Sequence, residues 1–301
     1  MSPILKHLAL ITIFFAALAG SVLGQDKIPI FVSIAPQRYF VQQIGQDLVD
    51  VRIMVEPGAS PATYEPKPRQ MVALARTKIY FAIGVAFEAA WLQKIAAASP
   101  GMKVVATDLG IEKLPMETRH HHHDDDDDET GHAAVPHEQG RPDPHIWLAP
   151  SLVKMQARAI LAALQEVDPA HQDIYQANYQ RFTDAIDQLD GDLKAIFTGK
   201  RGMQFMVFHP AWEYFARAYG LRQVPIEIEG KAPKPADLHA LIQQARKEKI
   251  GIIFVQPQFS DKSAKLLARE IGGQVAVANP LAEDWMANMR DMAAQFAAAL
   301  R

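Results

Sequence analysis

Six of the eleven histidines, His120, His121, His122, His123, His132 and His137, crowd into eighteen residues together with the six consecutive acids at 124–129. A charge run alone would read as a solvated surface. Imidazoles are sparse elsewhere in this chain, however, and imidazole mixed with carboxylate is a donor set for divalent metals. Residues 116–142 hold almost nothing apolar, cannot bury a core, and read as a mobile loop that captures metal. Two further histidines stand out by position. His145 lies in Asp143-Pro144-His145-Ile146-Trp147 at the foot of that loop, and His209 precedes Pro210. His171 and His239 fall on helical stretches and read as solvent-facing, while His7 belongs to the N-terminal segment. The chain has no cysteine, which excludes disulfides, thiolate metal sites and cysteine nucleophiles. Any metal must be held by histidine, carboxylate, amide oxygen or water. No nucleophile-elbow, zinc-protease, P-loop or dinucleotide motif occurs, so no enzymatic activity is expected. Trp91, Trp147, Trp212, Tyr214 and Trp285 read as core.

These residues must be positioned by a globular frame. The chain has 301 residues, 49% hydrophobic and 22% charged, enough for about two domains. Its formal charge of −3 is nearly balanced once the acidic run is set aside, so there is no basic footprint for nucleic acid. Residues 1–25 begin with Lys6 and His7 and continue with a mostly apolar stretch from Leu8 to Leu23, short of the roughly 20 residues of a bilayer span. Val22 and Gly24 before Gln25 suit a signal-peptidase site. This reads as a cleaved secretory signal, and without cysteine the mature N-terminus carries no lipid, so a soluble periplasmic protein is expected.

From residue 28 short apolar runs alternate with amphipathic stretches. Strands are predicted at 28–34, 51–55, 79–83 and 103–106, with helices at 36–46, 68–76 and 86–97. The rhythm returns with strands at 204–208, 223–228, 251–255 and 274–278 and helices at 210–219, 236–248, 262–271 and 283–300. Such alternation predicts an α/β fold of two lobes, each a mostly parallel sheet flanked by helices. The N-terminal lobe covers 26–150, connecting helices 151–200, and the C-terminal lobe 201–301. Apolar residues from Ile174 to Leu193 recur at helical spacing, and Asp168-Pro169 reads as the start of a long spine helix reaching about Phe197. A helix of 169–197 would be about 43 Å long, enough to join two lobes rigidly. In parallel sheets ligands bind beyond the carboxyl ends of strands. The residues there include 56–65, His209, Glu227, Glu229, Gln256, Gln258 and Asn279.

The segments PGASPATYEPKPRQM (57–71), DPHIWLAP (143–150), FHPAWEYFARAYGL (208–221), QPQFS (256–260) and NPLAEDW (279–285) carry a family likeness. From about Ile28 onward the chain resembles the zinc/manganese class of metal-binding solute receptors of ABC importers, and the His/Asp-rich loop resembles that of the zinc members. The resemblance implies two α/β lobes on one spine helix and capture of zinc in the cleft between them, with manganese or iron as the alternative metal. It also implies delivery to an ABC permease in the inner membrane by what is expected to be a monomer. An adhesin-like protein with weakened metal binding is the other reading. His145 and His209 match two of the four family ligand positions. At the other two, a histidine is replaced by Ala62 and an aspartate by Asn279. The resemblance therefore implies a site of His145, His209 and Asn279, completed by a nearby carboxylate, Glu229 first and Glu227 second, or by water.

Overall fold

The structure, a computed structural model, describes residues 26–116, 141–227 and 231–300. Residues 1–25, read as a signal, the histidines at 120–123, 132 and 137, and Glu229 lie outside the described residues. The N-terminal sheet is parallel, with order β2-β1-β3-β4, and is built from β1 (Ile28–Val32), β2 (Val49–Ile53), β3 (Ile79–Ala82) and β4 (Lys103–Ala106). Its helices are α1 (Ala35–Gly45), α2 (Pro68–Leu74) and α3 (Ala86–Ala98). The connecting helices are α4 (Pro150–Val167) and α5 (Gln172–Ile196). The second lobe repeats the strand order as β6-β5-β7-β8. Its elements are β5 (Gln204–Val207), α6 (Glu213–Ala218), β6 (Arg222–Pro225), α7 (Pro235–Lys247), β7 (Ile252–Val255), α8 (Lys262–Ile271), β8 (Gln274–Val277) and α9 (Trp285–Ala299). In each sheet the chain order reverses between the first and third strands, so the crossovers part there and leave a crevice at the carboxyl ends. The two-lobe parallel architecture and its long connecting helix are those expected from the alternation.

Five local expectations need correction. Strand β2 begins two residues before the apolar run that predicted it, because it pairs with β1 from Ile28↔Val49 to Val32↔Ile53. Met54 and Val55 continue that ladder as backbone donors to Val32 and Ser33. The spine helix α5 starts at Gln172, so its 25 residues span about 37 Å. Residues 169–171 instead tighten into a 3₁₀ turn, and Asp168 turns its carboxylate to His171 Nδ1 and Tyr175 Oη, each at 2.7 Å. His171 is therefore half-buried and bonded, whereas His239 is exposed as expected. Helix α6 is shorter than 210–219. Ala211 donates back to the His209 carbonyl and the Trp212 N–H is taken by Gln223 Oε1, so those residues form a turn. Lastly, Trp147, Trp212, Tyr214 and Trp285 are buried, but Trp91 is only half-buried, with Lys94 Nζ 4.3 Å from its ring centroid.

One apolar core runs through both lobes and the spine, and a smaller one lies beneath the C-terminal sheet. Helix α9 joins the lobes: its Trp285 packs on Phe40 at 5.3 Å, and its Phe296 stacks on Phe205 at 4.4 Å. Two indoles lock the same junction. Trp147 Nε1 donates to the Pro280 carbonyl and Trp285 Nε1 to the Trp147 carbonyl, each at 2.7 Å. A buried donor left unpaired costs about 1–3 kcal/mol, so these bonds resist separation of the lobes close to His145. Among the described residues no helix is long and apolar enough to cross a membrane.

Candidate metal centre

Ile146, Trp147 and Leu148 are fully buried in a short 3₁₀ turn, and this anchor places His145, just before it, at the edge of the cleft. Asp143, only 1% exposed, accepts both the backbone N–H of His145 at 2.9 Å and its Nδ1 at 2.6 Å. Across the cleft, His209 follows β5 at the chain reversal of the second sheet. The side chain of Gln256, beyond β7, pairs with its backbone like an extra rung, accepting from the N–H at 3.1 Å and donating to the carbonyl at 2.7 Å. Phe259 stacks on the His209 ring at 4.8 Å. Glu227 Oε1 takes His209 Nδ1 at 2.7 Å. That contact follows from the register of β5 and β6, which carries on past Val207↔Pro225 as Ile226 N–H to the Val207 carbonyl and Glu227 N–H to the Phe208 carbonyl.

The two imidazole rings therefore meet at 5.3 Å between centroids and 71°. Each Nδ1 is committed to a carboxylate, which assigns the tautomer and leaves Nε2 as the lone-pair donor. A carboxylate behind each ring fixes its orientation, as is usual for histidines that bind metal. The carboxylates are shut away (side chains 1% and 5% exposed), while the rings reach the cleft at 10% and 16%. Asp143 Oδ2 and Glu227 Oε2 are buried without a partner among the described residues. Such half-satisfied negative charge favours a cation nearby.

The remaining expected donors fare differently. Asn279 lines a cleft cavity of about 190 Å³ with Gln258, Pro57 and Gly58. Its Oδ1 already accepts from the Leu281 N–H at 3.0 Å and Gln258 Nε2 at 3.3 Å. Ala62 is exposed and offers only its methyl group, although its loop is held by a bond from the Phe87 N–H to the Pro61 carbonyl. Among the described residues no three His, Asp or Glu side chains converge on one point. The two paired imidazoles fit a borderline divalent metal with open coordination positions. Sequence reasoning nominated Glu227 as a donor to metal and overlooked Asp143, Gln256 and Phe259 as supports. Asp143 could have been found from its position two residues before His145.

The family model described as "ZnuA: Zinc-uptake complex component A periplasmic" matches residues 30–299. A crystal structure of ZnuA superposes with a TM-score of 0.83 at 40% identity, covering 92% of this chain and all of that one. A zinc-bound ZnuA carrying an internal deletion gives 0.81 at 40% identity, over 91% of this chain and 98% of that one. The high-affinity zinc uptake system protein ZnuA of Bacillus subtilis (strain 168) is 29% identical over 262 residues, 85% of this chain and 79% of the relative. With residues 30–299 matched by its model, the chain belongs to the periplasmic zinc-uptake component A (ZnuA) family.

Proposed function

We propose that the protein captures a zinc ion in the inter-lobe cleft through Nε2 of His145 and of His209 and hands it to an ABC permease in the inner membrane. The observation that carries this reading is the pair of imidazoles, one from each lobe, each with Nδ1 held by a buried carboxylate. Glu229, two residues beyond Glu227, supplies the third protein donor and water the rest. Asn279, whose amide oxygen is taken, is left out of this donor set. The histidines at 120–123, 132 and 137 form a separate, weaker collector that raises the local metal concentration. The chain works as a monomer in the periplasm after cleavage of its N-terminal signal before Gln25. With no cysteine at any position, it carries no thioether-linked lipid. The resemblance to zinc-uptake receptors supports transport over catalysis. Metal analysis of untagged protein, followed by competition titration with a chromophoric chelator, tests the reading. One tight zinc equivalent that is lost in His145→Ala and in His209→Ala supports it. A double variant, also lacking 117–140, that still binds zinc as tightly would sink it.

A further inference from the structure

His145 and His209 come from different lobes, so contacts between the lobes must hold their rings at 5.3 Å. One hydroxyl links the two histidine segments directly. Tyr214 sits on α6, five residues after His209, and is buried at 6% exposure. Its Oη donates to the Asp143 carbonyl and accepts from the Leu114 N–H, both at 2.9 Å. The Asp143 N–H in turn donates to the Leu114 carbonyl at 2.7 Å. Asp143 is the residue that grips both the backbone and the ring of His145. At the other end, the Ala211 N–H bonds the His209 carbonyl, and Gln223 holds Trp212, so α6 cannot drift relative to His209. The path from ring to ring is therefore a short chain of bonded, buried groups. The same hydroxyl closes the foot of the His/Asp-rich segment. There Pro115 bridges Pro142 in antiparallel fashion and the Met116 N–H donates to the Arg141 carbonyl at 2.9 Å. Burial above all, with Asp143 adding to it against the opposing Leu114 N–H, pushes the phenol up to about 12, which keeps the donating proton in place.

We infer that Tyr214 is a positioning residue of the metal centre, its hydroxyl setting the separation of His145 and His209 by holding Asp143 and Leu114 across the lobe boundary. This rests on the reading of the two histidines as metal donors. Tyr214→Phe keeps the ring packing and removes only the hydroxyl. Zinc Kd is measured by chelator competition for wild type, Y214F, D143N and the double variant, alongside the thermal midpoint of each metal-free protein. Y214F is expected to weaken zinc about tenfold, the low end of outer-shell effects. Because Tyr214 acts through Asp143, it should add less than about twofold in the D143N background. An unchanged Kd in Y214F, even with a lowered midpoint, overturns the inference and marks the hydroxyl as merely structural. Losses that multiply in the double variant overturn it as well. A wild type that binds no zinc brings down the functional reading, and this inference with it.

Discussion

Glu227 Oε1 lies 2.7 Å from His209 Nδ1, while its second oxygen is buried without a partner among the described residues. The carboxylate thus serves the ring more than it serves the fold, since a buried charge with an idle oxygen is costly to keep. Glu227→Gln should weaken zinc by about 10- to 100-fold, the usual effect of losing an outer-shell carboxylate. The metal-free protein should keep its stability to within about 1 kcal/mol, because the lost bond is offset by relief of the buried charge. Parallel zinc titration and denaturant melts check both halves. A large stability loss with unaltered zinc binding would make Glu227 a fold residue.

Protons compete with metal for the same nitrogen lone pair. Zinc binding should therefore weaken steadily from about pH 7.5 to 5.5, the range in which imidazoles protonate. Competition titrations across that range give the check. A flat profile would point to oxygen donors alone.

Residues 114–116 pair with 141–143 through an antiparallel bridge and backbone hydrogen bonds. Replacing 117–140 by Asn-Gly, which suits a two-residue hairpin turn, should leave one tight zinc equivalent and the thermal midpoint nearly intact. Additional weak equivalents should disappear together with the imidazole and carboxylate donors removed. Loss of the tight equivalent would mean that a histidine of that segment is a primary ligand.

The resemblance implies a histidine where this chain has Ala62, in a loop anchored by Tyr64 Oη donating to Gln70 at 2.8 Å. Ala62→His should tighten zinc by about tenfold or more by filling an open coordination position. Unchanged affinity would show that position 62 does not face the metal in this chain.

Glu88 closes the turn after β3, accepting from the N–H groups of Ile83 and Gly84 at 3.0 and 2.7 Å. Burial, the largest cause, raises its carboxyl above the ordinary 4.5, against the opposing hydrogen bonds. A carboxyl raised in the folded state favours folding most below its unfolded value and loses that contribution as pH rises through the folded one. The stability of Glu88→Gln relative to wild type should therefore increase as pH climbs above about 4.5. Denaturant melts at several pH values read this difference directly, and a difference that falls with pH would contradict the assigned direction.

Alternating apolar runs were enough to read two parallel sheets and a spine, because a strand or helix buries one face by local periodicity alone. His145 and His209 were legible for a related reason: each follows or flanks such a run, where parallel sheets leave their crevices. What backs them was not. Glu227 reaches His209 only because β6 lies beside β5 in one register, and Gln256 only because β7 lies on the other side. Sheet order and register arise from contacts between residues distant in the chain, which no local pattern records. The same holds for Asn279. A turn with Leu281 and Gln258 claims its oxygen, a competition between hydrogen-bond partners that exists only once the lobes are folded. The 3₁₀ turn at 169–171 was decided in the same way, by side chains that drew Asp168 from the helix start to His171 and Tyr175.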